Sequence, residues 1–382
     1  MKIILSGVET SNKGAELMLY AILQEIERKW PEATVYIPYS RCRQGLDYVK
    51  TSLRLKYIPL SRFISKTHLD GILERLHLLI SWFNPNTVKG AEWFIDGSGF
   101  AFSDQFRINK HSIGKWHATL ETLHKDGCKI VFLPQAFGPI ERPATKEMVK
   151  LIGKYASVII PREQVSYGYL EKSGLIDMKR VTKYTDFTSL VEGIFPKGYE
   201  HLKNAVCVIP NIQMIAKGKI SYEDYIAILQ SIIQEAGKSG HKVYLLNHAG
   251  KKDEQLAYQC KSSLGDDIEV VCGLNALEVK GLIASAYIVI TSRFHGLASA
   301  LNSCVPPLST SWSHKYAELY KDYSLDSLIL PLDNAATAAK MLHDALNKDK
   351  NQKIRTLLAL QKQNIKAQTH DMWQTVWNLA KH

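Results

Sequence analysis

Two residues able to hold an anion and move a proton, Arg293 and His295, follow directly on the apolar run YIVITS. Gly296 and a helical stretch of small and apolar residues come next. With Ser292 as the expected N-cap, both Arg293 and His295 fall in the first helical turn. Two potential cations at the positive end of a helix dipole are destabilising unless something anionic joins them. A planar guanidinium, an imidazole and a helix N-terminus together suit a small dianion or trianion undergoing acid–base chemistry. The plainer alternative is a helix start whose arginine reaches solvent and whose histidine is packed; the whole assembly favours the first.

Other residues with chemical potential recur in the same kind of place, where an apolar strand gives way to a helix. Near the start, Asn12-Lys13-Gly14 opens a helix after a polar loop with neither the G-x-G-x-x-G nor the G-x-x-x-x-G-K-[ST] spacing. Unpaired backbone N–H groups there make an anion or sugar contact, or simply a helix start. FIDGSGFAFSD places Asp96 at a strand end with Gly97 and Gly99 behind it, and Asp104 follows. Either carboxylate suits gripping sugar hydroxyls or acting as a base, and either suits bracing a turn. Gln135, before Gly138-Pro139, offers an amide for hydroxyl recognition. Arg162 follows the run SVIIP at a helix start, where the dipole repels it unless a phosphate or carboxylate is near. Asp186 ends the run KRVTKYT, His248 follows KVYLL, and Asp253 is explained as an ordinary helix-start residue.

The elements that must position these residues alternate strand and helix almost throughout. KIILSG, ATVYIPY, EWFID, KIVFLP, SVIIP and KRVTKYT read as strands of a first half, and AVCVIP, KVYLLNH, IEVV and YIVITS as strands of a second. Such alternation predicts an α/β chain with parallel sheets covered on both faces. Between the halves, VEGIFPKGYEHLKN replaces periodicity with glycine, proline and charge. This predicts two Rossmann-like doubly wound domains facing a cleft, over 1–190 and 200–335. The basic helices of 336–382 are expected to pack back on the first. Ligands of such sheets bind at the C-terminal strand ends, where the candidate residues lie.

Composition narrows the class. The 382 residues are 46% hydrophobic and 22% charged, with 48 basic against 37 acidic residues and a net charge of +11. That excess favours anionic partners. It is concentrated between Arg41 and Ile80, beside the apolar run GILERLHLLISWF. The bland reading of 41–83 is a core helix with a solvated face; the sharper one is peripheral contact with an anionic inner membrane face. Six scattered cysteines without a C-x-x-C pair argue against a zinc site or disulfide framework and suit a cytoplasmic protein. MKIILSG reads as a first strand, not a signal-peptide core.

The block SRFHGLASALNSCVP resembles the S-R-x-H-G-x-x-x-A-x-x-x-G-x-P signature of the polysaccharide pyruvyl transferase family. SNKGAELML, IDGSG, PQAFGP, PREQVS and NHAGKKDEQLA resemble its other blocks, in the family's order. The resemblance implies a GT-B-like fold and transfer of pyruvyl from phosphoenolpyruvate to two sugar hydroxyls, giving a cyclic ketal. By block matching it gives Arg162, Arg293 and His295 to the donor; the strand-end reading above adds Ser292, Gly296, Asn12, Lys13, Gly14, Gly97, Gln135 and His248 as further binding residues. Asp96 or Asp186 would serve as base or hydroxyl-orienting group. The expected partners are phosphoenolpyruvate and a sugar acceptor, such as a lipid-linked precursor of a capsular or exopolysaccharide repeat, with no nucleic acid. No metal or other cofactor is called for. Cys304 departs from the family's glycine, Pro307 from its apolar residue, and GVETSNKGAE is poorer in glycine than the common first loop. A nucleotide-sugar glycosyltransferase on the same architecture is the rival reading, and a non-catalytic scaffold at the membrane face is a third.

Overall fold

The computed structural model describes residues 1–38, 54–58, 85–262, 268–325 and 328–381. The basic and apolar stretch of 41–83 lies outside these, apart from the strand Arg54–Ile58. The chain forms two compact units. One comprises Met1–Ser11, Met18–Phe187 and His370–His382; the other comprises Asn12–Leu17 and Thr188–Thr369.

In the first unit, seven described strands lie parallel: β1 (Lys2–Ser6), β2 (Thr34–Pro38), β3 (Arg54–Ile58), β4 (Trp93–Asp96), β5 (Phe100–Phe102), β6 (Lys129–Phe137) and β7 (Val158–Pro161). Their order is β3-β2-β1-β4-β6-β5, with β7 also on β6. Runs such as Ile3-Ile4-Leu5 and Ile130 to Leu133 are wholly buried, as a sheet covered on both faces requires. KRVTKYT is not a strand. It supplies a 3-10 turn over Met178–Arg180, capped by Asp177, and one bridge from Val181 to Ile159. Val181 is the run's only buried apolar side chain, too little to hold an edge strand.

The second unit has five described parallel strands: β8 (Val206–Ile209), β9 (Val243–Leu246), β10 (Glu269–Val271), β11 (Ile288–Thr291) and β12 (Pro307–Ser309). Their order is β10-β9-β8-β11-β12. The chain reverses its winding between β8 and β11, which are hydrogen-bonded neighbours. At such a reversal the loops leaving the carboxyl ends diverge, and in doubly wound sheets that is where ligands bind.

The longer helices in chain order are α1 (Lys13–Lys29), α2 (Lys110–Lys125), α3 (Pro143–Tyr155), α4 (Gln164–Ser173), α5 (Tyr222–Lys238), α6 (Lys251–Ser262), α7 (Ala276–Ala284), α8 (Phe294–Asn302), α9 (Lys315–Asp322), α10 (Ala335–Leu346) and α11 (Lys348–Asn378). The helices of 336–382 divide between the two units. In α10, Ala338, Leu342, Ala345 and Leu346 join the core formed by β8, β9 and α5 in the second unit. Arg355 of α11 donates to the carbonyls of Ala286, Tyr287 and Cys304, also of that unit. Only the last turns of α11 belong to the first unit, where Trp377 packs on Trp30 and Trp93 with ring centroids 4.8 and 5.6 Å away. An apolar stripe buries itself where the matching surface is, and α10 finds it on α5.

Both departures from the family signature fit the local backbone. Cys304, just after α8, has φ of 57°, in the left-handed region that glycine enters without strain. A cysteine there carries a left-handed backbone at a cost of about 1 kcal/mol. Pro307 begins β12, the last strand in the sheet order, where a missing ladder N–H is tolerated.

Candidate active site

The turn between β11 and α8 is fixed from below by a buried hydroxyl network. The Ser292 carbonyl accepts from Asn211 Nδ2 at 2.7 Å and from the Tyr316 hydroxyl at 2.8 Å. The Ser292 hydroxyl lies 2.6 Å from the hydroxyls of both Tyr225 and Thr310. Ser292 is thus not the N-cap its type suggested; its oxygens are bonded inward and it is 2% exposed. Gly296 has a packing role, since a Cβ there would stand 2.5 Å from Thr291 Oγ1. The N-cap of α8 is Arg293, extended at φ −109° and ψ 129°, with no side chain capping the helix. An uncapped N-terminus keeps its dipole available to an anion.

Arg293 is not left facing that dipole unaccompanied. Asp253 Oδ2 accepts from Arg293 Nε at 2.7 Å and from one terminal guanidinium nitrogen, while Oδ1 accepts from the Ile212 backbone N–H at 3.2 Å. The side chains are 15% and 2% exposed. Burial raises the Asp253 carboxyl above the usual carboxylate range, and the Arg293 charge and hydrogen bond work against that rise. The electrostatic conflict read in the sequence is therefore relieved by a carboxylate of the chain itself. Asp253 was missed because the third residue of a helix already explains an aspartate.

The start of α1 meets the same turn. Asn12 Oδ1 accepts from the Gly14 N–H at 3.0 Å, and the Lys13 N–H donates to the His248 carbonyl at 3.1 Å. Two of the N–H groups expected to meet an anion are thus used internally, and Asn12 serves as a cap. Lys13 Nζ contacts the buried Glu16 carboxylate at 2.7 Å. Gly14 lies directly against His295: a Cβ on Gly14 would stand 2.3 Å from the imidazole Nδ1 and 2.9 Å from the His295 Cβ. Only glycine permits that approach.

His248, after β9, is 2% exposed, and its Nδ1 has no hydrogen-bond partner among the described residues. Burial, and then the positive fields of Arg293, His295 and Lys13, hold its pKa well below the ordinary 6.5. It is a neutral imidazole inside a cationic cluster. Protons then bind the unfolded chain but not the fold, so stability falls as pH drops below 6.5. His248→Gln is expected to flatten the acid side of the stability profile, by up to about 1.4 kcal/mol per pH unit. Urea melts of both proteins from about pH 5 to 7 measure this; equal slopes would refute it.

The remaining candidates belong to the first unit. Asp96 and Gln135 are wholly buried, and Gln135 lies within β6, not in a loop. Asp96 Oδ1 accepts from the Ser98 N–H at 3.1 Å and from Gln135 Nε2 at 3.3 Å, and burial raises its pKa. Through Oδ1 the carboxylate braces the turn after β4, while the buried Oδ2 has no hydrogen-bond partner among the described residues. A Cβ on Gly97 would press on Val8 and Ile22 at 2.9 Å, so Gly97 serves packing. Asp104 accepts from the N–H groups of Glu141 and Arg142 and braces that loop. Arg162 follows β7 and is 4% exposed, its N–H donating to the Gln135 carbonyl at 3.0 Å. Asp186 is buried before a 3-10 turn over Phe187–Leu190, not at a strand end.

The second unit thus brings Lys13, Gly14, His248, Arg293 and His295 together, with Asp253 and Glu16 as carboxylate partners. That is an anion-binding arrangement with an imidazole beside it. The sequence model of one family, polysaccharide pyruvyl transferase, matches residues 12–314 and so spans every residue of this cluster. The chain belongs to that family.

Solved structures agree on the fold. UDP-GlcNAc 2-epimerase from Neisseria meningitidis is similar at 10% identity over 99% of this chain and 100% of its own, with a TM-score of 0.61. The UDP-GlcNAc 2-epimerase of Methanocaldococcus jannaschii is similar at 12% identity over 92% and 94%, with a TM-score of 0.57. WaaG, a glycosyltransferase involved in lipopolysaccharide biosynthesis, gives 13%, 100%, 98% and 0.52. At such identities the likeness establishes the GT-B-like architecture alone. No curated protein sequence matches the chain. Among the described residues of this family member, no helix is long and apolar enough to cross a membrane.

Proposed function

We propose that this protein transfers the pyruvyl group of phosphoenolpyruvate to two hydroxyls of a sugar, forming a pyruvate ketal and releasing phosphate. The observation that carries the reading is the cationic turn of the second unit, where Arg293, His295 and an uncapped helix N-terminus converge. Phosphoenolpyruvate brings a carboxylate and a phosphate, and such a turn suits one or both. Protonation of its methylene carbon gives an oxocarbenium-like centre; one sugar hydroxyl adds there, phosphate departs, and the second hydroxyl closes the ring. One donor and two hydroxyls thus give one ketal and one phosphate, with no metal or redox cofactor in the balance. His295 moves a proton or steadies the departing phosphate, a role typically worth about 10²–10⁴ in rate. Arg293 binds the donor's anion, and by block matching Arg162 also serves the donor. The acceptor is a hexose such as galactose in a capsular or exopolysaccharide precursor, and the setting is the cytoplasm.

Incubation with phosphoenolpyruvate and a panel of sugar acceptors tests this, read by phosphate release and by the mass of added pyruvyl. Coupled appearance of both is the expected result. Turnover of a nucleotide sugar without phosphoenolpyruvate would transfer the protein to the glycosyltransferase reading. No turnover, with lipid binding that survives loss of Arg293 and His295, would make it a scaffold.

A further inference from the structure

We propose that Asp253 is a positioning residue that decides which edge of the Arg293 guanidinium meets the donor. A guanidinium has a side edge, made by Nε and one terminal nitrogen, and an end edge, made by the two terminal nitrogens; each matches a two-oxygen anion. Asp253 occupies the side edge, with one oxygen on both donors. The other terminal nitrogen, Nη1, makes no hydrogen bond among the described residues. The end edge is therefore the one presented to a carboxylate or phosphate at the start of α8. Asp253 is itself held: its second oxygen takes the Ile212 N–H, and its side chain is 2% exposed. A free arginine would reorient about its long stem; this one is fixed at its side edge by a carboxylate anchored on another loop. The inference rests on the donor reading of Arg293.

Asp253→Asn is the appropriate variant, because the amide oxygen keeps the Ile212 bond while the pairing to Arg293 is lost. Its kcat/KM for phosphoenolpyruvate is expected to fall by about 10²-fold, as misplacement of a reacting group does. The KM for the sugar acceptor should stay within about twofold of the wild-type value. In an Arg293→Lys background the same substitution is expected to change kcat/KM by less than about twofold, since an ammonium has no edge to orient. A merely structural role would weaken both backgrounds alike and overturn the proposal. Inorganic phosphate and pyruvate, each run as a competitor, identify the end of the donor on the fork. The inhibition constant of one should rise about tenfold in Asp253→Asn; if neither rises, the proposal is wrong. Nuclear magnetic resonance gives a readout independent of turnover: a slowly exchanging Arg293 Nε–H signal in the wild type that disappears in Asp253→Asn. Its persistence in the variant would overturn the proposal. A wild-type protein that releases no phosphate from phosphoenolpyruvate would defeat the donor reading instead, leaving the Nε–H signal to decide how Asp253 holds Arg293.

Discussion

Arg293→Ala is expected to lower pyruvyl transfer by about 10³-fold or more and to destabilise the fold by about 3 kcal/mol in the same step. The two losses have different origins. The first is removal of a donor aimed at charge that grows on the departing phosphate. The second is the buried Asp253 carboxylate, 2% exposed, left without its cation. Adding Asp253→Asn to Arg293→Ala should therefore recover part of the stability and none of the activity. The pH dependence separates them further. Burial already raises the Asp253 carboxyl, and removing Arg293 raises it more. A folded-state carboxyl pKa above the unfolded one means stability lost as pH rises through the folded value. The gap between wild type and Arg293→Ala should thus narrow on acidification, in urea melts run across mildly acidic pH. Full phosphate release by Arg293→Ala would remove this residue from the donor site.

Gly14→Ala is the second large effect, and local reasoning gets its sign wrong. In a helix alanine is favoured over glycine by about 1 kcal/mol, and Gly14 is the second residue of α1. Yet the added methyl would stand 2.3 Å from His295 Nδ1 and 2.7 Å from its Cγ. Either the imidazole or the helix start must move. The expected outcome is a fall in kcat of about 10²-fold, with a stability loss of about 1–3 kcal/mol from overpacking. Combining Gly14→Ala with His295→Ala should recover part of the stability, because the ring contacts are gone and only the 2.9 Å approach to the residue 295 Cβ remains, while activity stays at the level of His295→Ala alone. A Gly14→Ala protein that is both more stable and fully active would show that the ring and the glycine do not touch.

These effects mark the boundary of what local sequence carries. Arg293, His295 and Lys13 announced themselves by type and position: cations at helix starts are locally unfavourable and need a reason. Asp253 and Glu16, the carboxylates that supply part of that reason, were invisible because acidic residues in a first turn are already favoured. Asp96 was legible by type as a carboxylate at a strand end, but its partners were not: Ser98 and Gln135 take one of its two oxygens. Ser292 was the obvious cap by residue type, and a tyrosine, a threonine and an asparagine from other elements claimed it instead.

By itself the sequence determined the α/β class, the two wound halves and the strand ends at which chemistry had to sit. Those follow from hydrophobic period and helix-end electrostatics, which act over a few residues. Only the tertiary structure decided which side chains meet: Gly14 with His295, Asp253 with Arg293, α10 with α5. Such pairings join residues 40 to 281 positions apart by number, where no local propensity reaches. They are chosen by burial, which fits one surface to another and then leaves each buried charge to find the nearest partner.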